Sequence, residues 1–485
     1  MSLSDLLVNL KVVLPLMALV AWSCILLIVD LFIPKERKGW TAFLAVVGLI
    51  MTMGLFLLQG GQAKAGFNGM VIYDGFSSFL NLVVLGSGVA GIALAYDYNK
   101  RMNLQQGEYY TLLLFSIIGI MLMAQANDLI VIFLSLELLS IPLYVLAGFA
   151  RPRVESEEAA LKYFLIGAFS TGFEVFGIAL AFGGTGTTNL SQILTAINSN
   201  IANMPLLAVG AGLILVGLAF KVAAFPFHMW TPDVYVGAPS PVTGFMSVGA
   251  KIGGFAALLR IFVSAFPSIS GDITMIIWVV SALTMFFGNV VAIAQTNIKR
   301  LLAYSAIAQT GYILMALVPY GNSSVNTGTI AAGLFYLISY AIMTMGAWAV
   351  VIALEKEEGQ GLLLDDYAGL GRKYPLLAAT MAIFMMSFTS IPPTLGFMGK
   401  FYLFRTVITG GYLGLAIIGV FTTLLSAYYY LRVIIIMYMR EGEPVARTDV
   451  WLQLTAAITA VLTIVLTLTA QPLMDVANKA LMQIF

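Results

Sequence analysis

The chain has 485 residues, of which 60% are hydrophobic and only 10% charged, with a formal net charge of +1 and a mean hydropathy of +0.96. An average soluble domain is about 45–50% apolar and about 25% charged, so these values exclude a soluble enzyme and indicate a polytopic membrane protein. Near-neutral charge offers no basic field for nucleic acid; one cysteine (Cys24) and one histidine (His228) exclude disulfides, chain-held iron–sulfur clusters and bis-histidine haem.

A hydrocarbon core about 30 Å thick takes about 20 helical residues to cross. Breaks at Gly/Pro/Asn clusters and at charge runs predict fourteen spans, near residues 9–31, 40–59, 74–96, 109–126, 129–150, 159–183, 205–226, 240–266, 273–295, 298–319, 328–354, 375–404, 411–439 and 450–471. The expected fold class is therefore all-α and polytopic. The first apolar stretch is about 20 residues long, beyond the 7–15 of a signal-peptide core, and no small-x-small cleavage site follows, so a retained span is expected. Only Ala126, Asn127 and Asp128 separate the fourth span from the fifth.

Basic residues alternate between connections. Counting loops by the spans they join, the odd ones carry Lys35, Arg37 and Lys38; Lys100 and Arg101; Arg151 and Arg153; Lys299 and Arg300; Lys356, Arg372 and Lys373; and Arg440 and Arg447. The even ones hold only Lys64 and, at a span end, Arg405. The bias of positive charge toward the cytoplasm then puts odd loops inside and both termini outside.

Four ionisable residues lie within apolar runs: Glu137 in span 5, Lys221 in span 7, Lys251 in span 8 and Lys400 in span 12. A charge at the bilayer centre costs about 2.5–3.5 kcal/mol even on insertion scales, so such residues face protein or a wet cavity and point to an ion or proton pathway. Glu174 is a fifth, in FSTGFEVFGIALAF of span 6. Spans 7 and 12 are broken by proline, the first at Pro226 and the second at Pro392 and Pro393, with Lys221 before one break and Lys400 after the other. Proline frees backbone carbonyls that lipid cannot satisfy, so the breaks are expected to meet protein or water. Two broken helices five spans apart mark an inverted repeat, spans 4–8 against 9–13. The expected organisation is spans 1–3 in 1–108, a first repeat in 109–266, a second in 273–440, and span 14 with a tail in 450–485.

The segments FKVAAFPFHMWTPDVYVGAPSPV (220–242), AKIGGF (250–255), QTNIKRLLAYSAIAQTGY (295–312) and IPPTLGFMGKFY (391–402) carry a resemblance. In family order over roughly 100–440, they resemble the subunit N family of bacterial NADH–quinone oxidoreductase, complex I, which has mitochondrial (subunit 2) and chloroplast counterparts. TPDVYVGAP and lysine at 400 favour the N type over its L and M paralogues, which tend to be acidic there. The resemblance implies a proton-translocating subunit without redox centres, in the cytoplasmic membrane. Flavin, iron–sulfur clusters and quinone would be carried by partners, and M-type and K/J/A-type subunits would be its membrane neighbours. It further implies a relay of Glu137, its partner Lys221, Lys251 and the terminal Lys400, and matches His228 to a family histidine past the span-7 break. Two positions depart from the pattern. Gln309 stands where some relatives have histidine, and Glu174 has no family counterpart: either it joins the pathway or it sits protonated against a neighbouring subunit.

The chemistry fits a switch. Burial favours a neutral amine and a nearby carboxylate restores the ammonium; at 4 Å and an effective dielectric near 20 the contact is worth about 4 kcal/mol. Moving Glu137 relative to Lys221 would therefore control proton uptake and release. Plainer readings stay open: a static Glu137–Lys221 ion pair, snorkelling by Lys251 or Lys400, and a loop hydrogen bond for His228. Lys162 and Arg260 read as interfacial anchors, Glu155–Glu158 and Glu355–Glu358 as solvated faces, and Tyr428–Tyr430 as core. Two other functions compete with a complex I pump: a stand-alone or Mrp-type cation/proton antiporter, and a scaffold with relict charges.

Overall fold

A computed structural model of the chain describes residues 3–60, 63–267, 270–321, 326–356, 359–447, 449–480 and 482. Three helices open it: α1 (Leu3–Asp30), α2 (Gly39–Gln59) and α3 (Gly75–Arg101). A short antiparallel hairpin, β1 (Lys64–Gly66) and β2 (Val71–Tyr73), joins the last two and qualifies the all-α expectation. The first half continues through α4 (Glu108–Gln125), α5 (Leu129–Ala147), α6 (Val154–Thr185), α7 (Leu190–Asn198), α8 (Met204–Lys221), α9 (Trp230–Gly237) and α10 (Ser240–Ser264). The second follows with α11 (Ser270–Ile293), α12 (Ile298–Leu314), α13 (Asn326–Leu354), α14 (Leu370–Lys373), α15 (Pro375–Thr389), α16 (Leu395–Thr409) and α17 (Leu413–Met439), before α18 (Val450–Leu468) and α19 (Ala470–Lys479). Among the described residues, 12 helices are long and apolar enough to cross a membrane. The 17-residue α12 and the broken pair α15/α16 complete the fourteen expected crossings.

The two halves repeat their local devices. Asp128 caps α5 by accepting from Ile130 N at 2.9 Å, and Asn297 caps α12 by accepting from Lys299 N at 2.9 Å. Each cap residue also pairs with a returning loop: Leu129 N donates to Thr188 O and Leu190 N to Asn127 O, as Ile298 N does to Leu362 O and Leu364 N to Thr296 O. Gly119 of α4 abuts Leu139 of α5 and Gly288 of α11 abuts Ala308 of α12, each partner at the same spacing from its cap. A β-carbon on either glycine would strike backbone within 2.6 Å, so both pairs need a residue without one. The inverted repeat is thus written in caps and close approaches as well as in the broken helices.

Departures from the predicted elements have local causes. The connection after span 6 folds into α7, because Leu190, Ile193 and Ile197 make a buried stripe and Asn189 caps it, accepting from Ser191 N and Gln192 N. Helices α3 and α6 run past the predicted ends at 96 and 159, since backbone hydrogen bonding does not stop where the lipid does. Arg260 is no interfacial anchor. It is 0% exposed, donates to both oxygens of Asp74 at 2.6 and 3.0 Å and to Ala124 O at 2.8 Å, and so ties α10 to the start of α3 and the end of α4. Glu355 is not solvated either: it is 2% exposed and accepts from Tyr98 OH at 3.3 Å. Glu357 and Glu358 lie outside the described residues. Glu155, Glu157 and Glu158 are exposed as expected, and half-exposed Lys162 pairs with Glu158 at 2.6 Å and Asp233 at 3.1 Å.

Candidate functional site at the two helix breaks

Helix α8 ends at Lys221 itself, five residues before Pro226. The chain closes that end with Ala223 in the left-handed region (φ 61°) and a hydrogen bond from Ala224 N back to Ala219 O at 2.8 Å. The second break is built alike: Ser390 is left-handed (φ 66°) and Ile391 N reaches back to Met386 O at 3.0 Å. Both are Schellman-type endings made without glycine. They leave carbonyls at the negative end of a half-helix dipole, where cations are favoured.

Lysines occupy those ends. Phe220 O accepts from the Trp230 indole at 3.1 Å, while Val222 O accepts from Lys251 Nζ at 3.1 Å and from Thr310 Oγ1 at 2.5 Å. Lys251 also donates to Thr310 Oγ1. At the other break Phe388 O accepts from Lys400 Nζ at 3.4 Å. Lys221, Lys251 and Lys400 are all buried, so snorkelling does not describe any of them.

Glu137 and Lys221 do not touch. Glu137 Oε1 accepts from Thr171 Oγ1 of α6 at 2.9 Å, whereas Lys221 Nζ donates to Ser140 Oγ at 2.7 Å and to Tyr163 OH at 3.1 Å. Ser140 lies one turn beyond Glu137 on α5, so the lysine meets the acid's helix one step past the acid. The ammonium also sits 5.8 and 5.3 Å from the rings of Tyr144 and Tyr163. Tyr163 stacks on Trp230 at 4.5 Å, and the aromatic wall continues into α9.

From Lys251 to Lys400 the polar atoms come mainly from α12 and α17. Tyr336 OH donates to Gln309 Oε1, Gln309 Nε2 donates to Tyr430 OH at 3.3 Å, and Tyr430 OH pairs with Ser305 Oγ at 2.5 Å. Farther on, Tyr312 OH donates to Thr422 Oγ1 at 3.1 Å and accepts from Thr423 Oγ1 at 3.2 Å, and Lys400 Nζ donates to Thr423 Oγ1 at 3.3 Å. Lys400 Nζ stands 3.9 Å from the centre of the Tyr312 ring. A cavity of about 10 Å³, the size of one water-probe sphere, opens beside Ser247, Ser305 and Tyr340.

These hydroxyls escaped the sequence reading because serine, threonine and tyrosine are unremarkable inside membrane helices; only their convergence marks them. Gln309, noted for its missing imidazole, is a hydrogen-bonded member of the group. Tyr429 and Tyr430 are buried with bonded hydroxyls, while Tyr428 is 60% exposed on the outer face. His228 is half-buried in the loop before α9, with its ring stacked on Phe225 at 5.5 Å and no partner for Nδ1 among the described residues. Pro226 is exposed on the same loop. Glu174 faces inward against α8 and is 0% exposed, which removes the reading that it meets a neighbouring subunit. Among the described residues no three His, Cys, Asp or Glu side chains converge as a metal site.

Residues 126–426 match the family model described as NADH:quinone oxidoreductase/Mrp antiporter, TM. The chain is 45% identical to NADH-quinone oxidoreductase subunit N of Trichlorobacter lovleyi, over 90% of this chain and 89% of that one. It is 44% identical to the subunit N of Chloroflexus aggregans, over 98% and 97%. Its fold superposes on a chain of respiratory complex I from Thermus thermophilus with a TM-score of 0.82 at 33% identity, covering 95% of this chain and 98% of that one. The chain therefore belongs to the NADH:quinone oxidoreductase/Mrp antiporter transmembrane family and, within it, to the subunit N members of NADH-quinone oxidoreductase.

Proposed function

We propose that this proton-translocating membrane subunit of complex I moves protons along Glu137, Lys221, Lys251 and Lys400, driven by quinone reduction elsewhere in the complex. One observation carries the reading: buried lysines sit at both helix breaks, on freed carbonyls, with α12 hydroxyls and amides between them. Each lysine has a hydrogen-bond acceptor for its N–H groups: Ser140 and Tyr163 for Lys221, Val222 O and Thr310 for Lys251, and Phe388 O and Thr423 for Lys400.

The first step is an exchange of hydrogen bonds. With Glu137 held by Thr171, Lys221 has only neutral hydrogen-bond partners, Ser140 and Tyr163, and passes its proton through intervening water to Lys251 when that side chain is a neutral amine. With Glu137 swung one turn toward Ser140, the carboxylate favours the ammonium and Lys221 reloads. Thr310, Gln309, Tyr430, Tyr312 and Thr423 then bridge Lys251 to Lys400, with water in the remaining gaps. His228 stands outside this line and is assigned no step.

The same reading places residues 109–266 and 273–440 as the two antiporter-like units, residues 1–108 as opening helices and 450–485 as a closing helix and tail. It places both termini on the outer side of the bacterial cytoplasmic membrane, M-type and K/J/A-type subunits as neighbours, and flavin, iron–sulfur clusters and quinone on partner subunits. The test is Lys221→Ala or Glu137→Ala in the assembled complex in liposomes. Proton uptake and quinone reduction should fall together; unchanged proton yield in both variants rejects the relay. Cation/proton exchange by the purified chain alone would instead favour a stand-alone antiporter.

A further inference from the structure

Glu174 is a buried acid that the relay above does not use. It sits in the middle of α6, a helix whose outer face is apolar and exposed at Phe169, Val175, Phe176 and Phe182. Its own side chain turns inward, and neither carboxyl oxygen has a hydrogen-bond partner among the described residues. Helices α6 and α8 approach closely because Gly177 and Gly210 oppose one another, where a β-carbon on either would lie 2.7 or 2.8 Å from the other's carbonyl oxygen. Gly217 extends that seam: a β-carbon there would stand 2.7 Å from Glu174 Cβ and 3.2 Å from its Oε2. Glu174 thus lies against α8 at Gly217, a residue about one helical turn before Lys221 on that helix. The ionisable groups acting on it are Glu137 of α5 and Lys221 of α8. On α6 itself its near neighbours are the hydroxyls of Thr171, which holds Glu137, and Ser170, which donates to Gly217 O at 3.3 Å.

In the seam the Glu174 carboxyl has no hydrogen-bond donor, and Lys221, on the helix it packs against, is turned to Ser140 and Tyr163. We propose that Glu174 is the acid that reloads Lys221. When Lys221 has passed its proton on and stands as a neutral amine, the Glu174 O–H breaks and an N–H forms on Lys221 Nζ. A carboxylate and an ammonium result, each stabilising the other. Gly217 carries no side chain, so nothing on α8 stands between the Glu174 carboxyl and the next turn, where Lys221 lies. The cycle closes when the Glu174 carboxylate takes a proton from a hydronium ion supplied from the aqueous side, leaving a water molecule.

This inference rests on the relay reading, and the test separates the two. Glu174→Gln keeps the shape of the side chain and removes its exchangeable proton. In the assembled complex in liposomes it should slow pumping by about a hundredfold, the low end for a missing proton-transfer group, with the deficit growing as pH rises and bulk proton donors become scarce. The infrared difference spectrum should lose a carboxylic-acid carbonyl band present in the unaltered complex. Glu137→Gln is run alongside. Unaltered pumping, pH profile and spectrum in Glu174→Gln, with Glu137→Gln impaired, overturn the role of Glu174 and leave the relay standing; unaltered pumping in both overturns the relay itself. Should Glu174→Gln not assemble, Gly217→Ala carries the test by placing a methyl group there while keeping the acid, and pumping at the unaltered rate in that variant overturns the proposal.

Discussion

The two helix breaks share a backbone and differ in chemistry. Each ends a half-helix on a left-handed non-glycine residue, Ala223 or Ser390, and each offers a freed carbonyl to a lysine. The first break has two carboxyl groups within its helix cluster, Glu137 and Glu174. The second, around Lys400, is lined by hydroxyls and rings: Thr423, Tyr312 and, behind them, Asn289. An ammonium facing a movable acid can be switched by that acid. An ammonium facing only neutral dipoles can pass a proton but has no local charge to set its state. On the proposed relay, the first break is the end under acid control and the second depends on what arrives through α12.

That contrast is open to attack, beginning with the largest effect. Glu137→Gln removes the acid of the first break and should lower coupled proton uptake by about a hundredfold or more, measured with quinone reduction in the reconstituted complex. Activity equal to the unaltered protein would mean the first break needs no acid control. Lys251→Arg, between the two breaks, keeps a cation at Val222 O, but a guanidinium hardly releases its proton. Pumping should fall, though less than in Glu137→Gln, with assembly intact, and a fully active variant would show that this position need not deprotonate. Thr423→Val sharpens the second break: Lys400 loses one hydrogen bond to a charged group, worth about 1.5–3 kcal/mol, and pumping should slow less than in either change above. If it slowed more, the second break would be the controlling one. Smallest is Ala223→Gly, which relieves a left-handed strain of about 1–2 kcal/mol. The variant complex should resist thermal dissociation slightly better, and Ser390→Gly should gain less because its hydroxyl reaches Gly396 O at 3.4 Å.

Much of this was legible along the chain. Hydropathy located the crossings, prolines located the breaks, and a lysine or glutamate inside an apolar run is conspicuous by its cost. The helix at Lys221 ends earlier than proline alone implies, because the Ala223 turn terminates α8 before Pro226 is reached. The partners were not legible. Glu137 is next in sequence to nothing that holds it, and Thr171, which does, differs in no way from any other membrane threonine. Arg260 and Glu355 differ from expectation for the same reason: each lies near a predicted span end, where exposure is the default, and each is buried against a residue far away in the chain, Asp74 or Tyr98.

By itself the sequence determined that this is a membrane protein of fourteen crossings with an inverted repeat, two broken helices and charges held at mid-depth. All of these follow from the energy of single residues or short runs in lipid. Only the tertiary structure decided that Lys251 answers the carbonyl of one break and Lys400 that of the other. It also decided that Glu137 rests on Thr171, and that Glu174 turns into a glycine notch and not toward a neighbouring chain. Those choices depend on which helix faces which. Packing between segments far apart in the chain sets that, and no local pattern encodes it.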